Sequence, residues 1–364
     1  MKKFAKNIYL KICSCFLVFT LLFSVACSGT TGEQRHFSAF NNVDITVQVR
    51  GKTLSTATAE KIRELLKTLN DEFSATKEGS AVFAINAADA GIGVAISERF
   101  KFIAETCATM REFTMGKFDP SVYPLSVLWQ FSPSFPVSDF IVPTDEEIMA
   151  TKALIGYDKF SFTDKAVKSI NGAKLDFGGA LKGYCSDKIA EILAADGITG
   201  GYVNVGGSSI NVISADSLSI VHPRKRDENI LNIKLFEKDL AVSTSGDYEK
   251  NYTKNGKTYS HLIDPDSGYP AETGVASATV IGKNGLKLDA LTTALCLFCH
   301  NFANPQNGEL YKFIQKILSS EDFKNAQIFA VCVDGENRQI LTNKKQGENF
   351  TLLDASYRII QVGV

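Results

Sequence analysis

Four short stretches of this chain carry residue types that can do chemistry at spacings a folded backbone can use. In the first, Asp289-Ala-Leu-Thr-Thr293-Ala, a carboxylate and a hydroxyl stand four apart, so on a helix their oxygens fall on one face about a turn apart. Carboxylate, hydroxyl and backbone oxygen together suit a hard cation such as Mg²⁺, which keeps open positions for phosphate oxygens and water. The same spacing is met by plain capping, with Asp289 as N-cap and Thr293 just inside the helix. In the second stretch, residues 174–177 lead through Gly178-Gly179 into an apolar-periodic run with Leu181, Tyr184, Cys185, Ile189 and Ile192. That predicts a strand, a glycine turn and a helix. Glycines there let backbone approach a ligand, and the free amides and dipole of the helix's first turn favour an anion. Lys182, expected in that first turn, adds a mobile positive charge, and a phosphate or pyrophosphate is the natural guest; packing alone also accounts for the glycines. In the third, His261 stands beside Asp264, placed to act as a general base or to serve structure only. The fourth, Ser245-Gly246-Asp247, offers a hydroxyl, a tight turn and a carboxylate, or an ordinary polar turn.

The elements that must position these residues are legible from periodicity. Strict alternation over 43–49 predicts a half-buried strand, and Ile62, Leu65, Leu66 and Leu69 line one face of a helix over 58–69. A second long helix is expected over 97–114, stopped by Gly116. Residues 117–131, with two prolines and the only Trp, read as a fixed loop plus a short helix. Thr144 and Glu147 form a capping box for a helix through 155, and 160–162 with 167–170 read as a hairpin. Strands follow at 201–205, 209–213, 219–221, 231–236 and 240–247, and then a hairpin over 248–260 pivots on Asn255-Gly256 and delivers His261. A strand at 276–281, helices over 288–299 and 310–318, and strands at 327–333, 339–342 and 357–362 complete a mixed α+β chain.

Composition sets the bounds. With 364 residues, 45% hydrophobic and 22% charged, and a net charge of −1, the chain is an ordinary globular protein without the broad positive field that nucleic acid requires. Lys2, Lys3, Lys6 and Lys11 precede an apolar run over 12–26, about right for a signal-peptide core and short for a membrane span. The run ends Phe23-Ser-Val-Ala-Cys27, similar to a bacterial lipoprotein signal in which the cysteine is lipidated, with Ser24 in place of the usual Leu. Residues 1–27 are therefore expected as signal, 28–36 as a small, polar tether, and 37–364 as the folded domain, lipid-anchored in a bacterial envelope and facing the periplasm. Beyond Cys27 the cysteines are Cys107, Cys185, Cys296, Cys299 and Cys332; an odd number argues against a full disulfide framework, and Cys296-Leu-Phe-Cys299 is read as core packing.

Together these stretches, with residues 117–131 (Lys-Phe-Asp-Pro-Ser-Val-Tyr-Pro-Leu-Ser-Val-Leu-Trp-Gln-Phe), 176–184 (Asp-Phe-Gly-Gly-Ala-Leu-Lys-Gly-Tyr), 203–207 (Val-Asn-Val-Gly-Gly), 243–248 (Ser-Thr-Ser-Gly-Asp-Tyr) and 261–268 (His-Leu-Ile-Asp-Pro-Asp-Ser-Gly), resemble the successive signatures of the ApbE family of flavin transferases. The resemblance runs from about Phe40 to the end. It implies a T-fold-like α+β architecture of two intimately packed lobes, and a Mg²⁺-dependent enzyme that cleaves FAD and transfers FMN to a Thr or Ser hydroxyl of a target flavoprotein, releasing AMP. The target it suggests is a subunit of a membrane redox complex. Carried over by motif, the Gly179 carbonyl with Asp289 and Thr293 would hold the metal. Asp176, Lys182, Ile263, Lys117, Phe118 and Asp119 would line the FAD site, with Ser245, Gly246 and Asp247 beside them, and Lys182 and His261 would serve catalysis. The chain departs from the pattern at Phe40-Asn41-Asn42, where Met-Gly-Thr is common, and at Thr76, where an aromatic is often found. Both lie where flavin cover is set, which leaves FAD hydrolysis to FMN and AMP, or flavin binding without catalysis, as alternatives.

Overall fold

The structure, a computed structural model, describes residues 23–26, 32–132 and 140–363. Its strands and helices are, in chain order, β1 (Phe23–Ala26), β2 (Gly32–Ala39), β3 (Val43–Arg50), α1 (Thr56–Phe73), α2 (Ala81–Ala87), β4 (Gly93–Ala95), α3 (Glu98–Phe113), α4 (Tyr123–Leu128), α5 (Asp145–Lys152), β5 (Phe160–Phe162) and β6 (Ala166–Ser169). They continue as α6 (Gly178–Ala195), β7 (Gly201–Val205), β8 (Ser209–Ser214), β9 (Ser217–His222), β10 (Lys225–Lys234), β11 (Leu240–Gly246), β12 (Asn251–Lys254) and β13 (Lys257–Ser260). The last are β14 (Val275–Gly282), α7 (Gly285–Leu295), α8 (Glu309–Leu318), β15 (Gln327–Asp334), β16 (Asn337–Thr342), β17 (Phe350–Leu352) and β18 (Arg358–Gln361).

A nine-stranded sheet, ordered β18-β16-β15-β14-β11-β8-β7-β3-β2, divides the molecule. Both its faces are buried, so alternation along each strand sorts side chains between two cores. On β15, Ile328, Ala330 and Cys332 face the helices, while Phe329 and Val331 face the other way. The helical side gathers α1, α3, α6, α7 and α8 into the large core. The opposite side packs against a four-stranded sheet, β1-β9-β10-β17, through Leu218, Ile220, Leu231, Ile233 and Phe350. These are the two lobes of the α+β fold. A third cluster, around Trp129, Phe131 and Phe140, joins α4 and α5 to the β12–β13 hairpin, whose Asn255 and Gly256 take the positive φ that its tight turn needs.

Several sequence expectations are corrected. Residues 174–177 are not a strand: the segment joins no ladder, because Asn86 bonds both the N–H and the carbonyl of Leu175 (2.7 and 2.9 Å) and Asp176 N–H bonds Pro120. Helix α6 starts at Gly178, so Lys182 opens its second turn, not its first. Helix α7 starts at Gly285 with Asn284 as N-cap, three residues earlier than expected, and Asp289 caps nothing. Gly32–Ala39 pairs with β3, so the stretch read as a tether to residue 36 is a strand from Gly32 onward. Cys299 is exposed, not core, although Cys296 is buried. Phe23–Ala26, read as the end of the signal, is strand β1 paired with β9, whereas Cys27 and the leader before residue 23 lie outside the described residues.

Candidate functional site

Two helices that nearly touch create the site's centre. A Cβ on Gly183 of α6 would fall 2.0 Å from the Gly285 carbonyl oxygen of α7, and one on Gly285 would fall 2.5 Å from that of Gly183. Only glycine permits that approach. It sets Asp289, one turn into α7, against the start of α6: the Gly183 N–H donates to Asp289 Oδ2 (3.1 Å), and Lys182 Nζ lies 3.7 Å from the same oxygen.

The sheet supplies the remaining donors through its alternation. On the helix-facing side of β8 and β11, positions otherwise filled by Ile213 and Ala241 carry Ser209, Asn211, Ser243 and Ser245. Ser209 and Ser243 donate to Asp289 Oδ1 at 2.9 and 2.7 Å, and Asn211 donates to Asp187 of α6 (3.0 Å). Ser245 Oγ lies 3.0 Å from Thr292 Oγ1 and 3.4 Å from Thr293 Oγ1. Asp289 is only 2% exposed. Burying a carboxylate costs several kcal/mol, and hydrogen bonds to an ionised group contribute about 1.5–3 kcal/mol each, so three donors offset that cost.

The glycine corner faces this centre. A Cβ on Gly179 would meet Phe118 at 3.3 Å and Thr293 Oγ1 at 3.6 Å. Phe177, just before it, is fixed by edge-on contacts to Phe73 and Phe100, both at 5.5 Å. The side chains beside the corner offer oxygen only, the Asp289 carboxylate and the Thr293 hydroxyl, and the glycine leaves a cradle that a side chain would fill. A hard divalent cation completed by phosphate oxygens and water fits this set. Among the described residues no cluster of three or more His, Cys, Asp or Glu offers an alternative metal site.

His261 follows β13 and is oriented from the backbone. Both its N–H (3.0 Å) and its Nδ1 (3.2 Å) bond the Lys250 carbonyl, so Nδ1 carries the proton and Nε2 is left to accept. Loss of hydration in its surroundings, then the positive charges of Lys250 and Lys182, push its pKa down to about 4, so the ring is neutral at neutral pH. Phe131 meets it edge-on at 6.4 Å. The hairpin itself is pinned by Trp129, which stacks on Tyr259 (5.5 Å) and donates from Nε1 to the Gly268 carbonyl (2.9 Å). Lys182 and Lys250 also act on Asp176 and Glu249. Crowding pushes both carboxyls up, Glu249 to about 7 even though its side chain is exposed, and both lysines oppose the rise.

The expected residues thus divide. Gly179, Lys182, Asp289, Thr293 and Ser245 share the α6–α7–β11 centre, and Asp176 and His261 lie within the field of Lys182. Lys117 Nζ is bound to Asp264 and Asp266, both at 2.9 Å, so the 117–119 segment and the 261–268 turn are tied together. Asp119 is committed elsewhere, to Arg111 (2.6 Å) and to the Ser121 N–H and hydroxyl (2.8 and 2.6 Å). Asp247 is held bidentately by Arg224 (2.6 and 2.7 Å). Gly246 has the Tyr248 ring 2.5 Å from where a Cβ would sit, and Ile263 is buried in the Trp129 cluster. Phe40, Asn41 and Asn42 form the β2–β3 turn with φ of 51°, 61° and 68°, and Asn41 donates to Thr76 Oγ1 at 3.1 Å, so the two departures from the family pattern touch one another. Sequence reasoning missed Ser209, Ser243, Lys250 and Glu249. Only the two serines left a signal, as polar residues at inward positions of otherwise apolar strands. A surface groove along α6, lined by Phe102, Tyr184, Lys188, Glu191 and Asn284, contains none of the expected site residues.

The structure defines a mixed α+β fold with a glycine-cornered oxygen centre, and comparison identifies the family. The ApbE family pattern matches residues 41–303. An FAD:protein FMN transferase of Vibrio cholerae is 30% identical over 250 residues, covering 67% of this chain and 73% of that protein. One from Escherichia coli K12 is 30% identical over 247 residues, covering 65% and 69%. The crystal structure of the ApbE protein of Thermotoga maritima superposes with a TM-score of 0.70 at 30% identity, covering 83% of this chain and 94% of that one. The apo flavinyl transferase ApbE of Pseudomonas stutzeri shares the fold, with a TM-score of 0.71 at 24% identity, covering 86% and 94%. The chain belongs to the ApbE family.

Proposed function

We propose that this protein transfers FMN from FAD to a hydroxyl of an acceptor protein, releasing AMP. The observation that carries the reading is the juxtaposition of the Asp289–Thr293–Gly179 oxygen set with Lys182 and His261, in a chain whose relatives are FAD:protein FMN transferases. Asp289, Thr293 and the Gly179 carbonyl would hold Mg²⁺, which when bound neutralises charge on the pyrophosphate and polarises the phosphorus under attack.

The chain's own residues supply the rest. Lys182 reaches over Asp289 and offers a mobile positive charge to phosphate oxygens. His261, neutral and with Nδ1–H on the Lys250 carbonyl, presents Nε2 to take the proton of the attacking hydroxyl. Seryl or threonyl hydroxyls of the acceptor are the nucleophile class, and the acceptor is a flavoprotein, which we place in a membrane redox complex. The basic, apolar leader ending at Cys27 supports export and lipid anchoring on the periplasmic side of a bacterial envelope.

Water competes as nucleophile. The Asn41–Thr76 pair, at the place where flavin cover is set, favours keeping FAD pyrophosphatase activity as a second reading. Incubation with FAD, Mg²⁺ and a candidate acceptor distinguishes the two: flavin fluorescence that stays with the acceptor after denaturation supports transfer, whereas AMP and free FMN alone would show hydrolysis.

A further inference from the structure

The β9–β10 hairpin belongs to the second sheet, yet two of its arginines, Arg224 in the turn and Arg226 on β10, grip the segment that orients His261. Arg224 forms a fork-to-fork pair with Asp247, Nη1 to Oδ1 at 2.6 Å and Nη2 to Oδ2 at 2.7 Å. Arg226 lies 4.7 Å over the Tyr248 ring and donates from Nη1 to the Tyr248 carbonyl at 3.4 Å. On the ring's other contact, Gly246 has no room for a Cβ. The segment 246–248 is therefore clamped residue by residue, and two positions on, the Lys250 carbonyl receives both the N–H and the Nδ1–H of His261. The turn is itself braced: the Arg224 N–H donates to His222 Nδ1 (3.0 Å), and His222 Nε2 meets Asp354 Oδ2 at 3.2 Å.

We propose that Arg224 is a positioning residue for catalysis, acting through Asp247 and the backbone of residues 247–250 to fix the His261 tautomer and aim. Resting on the reading of His261 as the proton acceptor, the proposal goes beyond it in assigning the second lobe a share in the chemistry. The Arg224–Asp247 pair is 41% and 31% exposed at its two side chains, and pairs of that exposure add little to stability. What a bidentate fork supplies is geometry. A guanidinium holding a carboxylate at two points blocks rotation of Asp247, and with it the peptide planes that lead to Lys250.

The test is a double-mutant cycle on the full exported chain with FAD, Mg²⁺ and acceptor. Arg224→Ala should lower kcat about tenfold, the usual scale for removing a group that orients a reacting one, with KM for FAD changed less than about twofold. Arg224→Lys, which keeps the charge but not the fork, should fall between parent and Arg224→Ala, and both variants should melt within a few degrees of the parent. In the His261→Ala background, Arg224→Ala should cost nothing further. In ¹⁵N spectra of histidine-labelled protein, the Nδ1-protonated signature of His261 in the parent should give way to a tautomer mixture in Arg224→Ala. Unchanged kcat in Arg224→Ala with His261→Ala inactive would overturn the strut alone, as would losses that multiply across the cycle or an effect confined to KM. Near-normal turnover in His261→Ala would instead overturn the proton-acceptor reading, and the proposal with it.

Discussion

Asp289 and His261 are placed by opposite means. Asp289 is buried in α7, and its carboxylate oxygens receive donors from three different elements, Gly183 of α6, Ser209 of β8 and Ser243 of β11. His261 is half-buried at the end of a four-residue strand, and one backbone carbonyl receives both of its N–H groups. The side proposed to hold the metal is thus over-determined by packing, while the side proposed to handle the proton hangs on a hairpin clamped at a few points. Groups that must hold charge in place gain from redundancy; a group that must accept a proton and release it gains from having few competing partners.

Variants can break that comparison. Asp289→Ala removes the acceptor of three donors together with the sole carboxylate of the oxygen set, so turnover should fall on the order of 10³-fold or more, with loss of Mg²⁺ dependence. Equal titration of Mg²⁺ by parent and variant, followed by isothermal calorimetry, would place the metal elsewhere. His261→Ala should cost on the order of 10²–10³-fold in kcat with FAD still bound, since one general base is removed and the phosphate-binding groups remain. In the parent the acid limb of the rate profile should lie near the histidine's value of about 4, the ring being an acceptor above it. A limb near an ordinary 6.5 would mean that neither lost hydration nor the two lysines depress His261. Ser243→Ala should cost only about tenfold, because Ser209 and Gly183 still hold Asp289, and the Ser209→Ala/Ser243→Ala pair should lose more than the product of the two single losses.

The same contrast explains what was legible before any coordinates. Strands whose inward residues alternate, such as β3 and β7, and the Asn255-Gly256 hairpin are stated by local pattern, as is the Thr144–Glu147 capping box. Residues 174–177 were misread because their short apolar alternation is satisfied by side-chain bonds from Asn86, almost ninety positions earlier. The start of α7 was misread because Asp289 looks like a cap in isolation, whereas Asn284 accepts from Lys287 N–H and performs that role. Of the site, the motif residues were visible by type and order. Ser209 showed only as a polar residue at an inward position, its role arising when β8 lies over α7, and Lys250 showed nothing, since a carbonyl that meets an imidazole has no residue type.

The smallest effect should come from Glu249, and its sign is what matters. Its carboxyl is pushed up to about 7 by crowding, against the pull of Lys182, Arg226 and Lys250 and with the push of Asp289. Because the folded value lies above the unfolded 4.5, the contribution of this group to stability is fully present below 4.5 and is lost as pH rises through 7. Above 7 its charge also competes with substrate phosphates for the two lysines. KM for FAD should therefore climb through pH 7 in the parent and stay flat in Glu249→Gln, and the variant should melt higher than the parent at pH 8 while matching it at pH 5. Turnover at saturating FAD should differ by less than about threefold, because the glutamate is one charge among several and touches neither His261 nor the oxygen set in the structure. A parallel rise of KM in both proteins would overturn the assignment of the titration to Glu249.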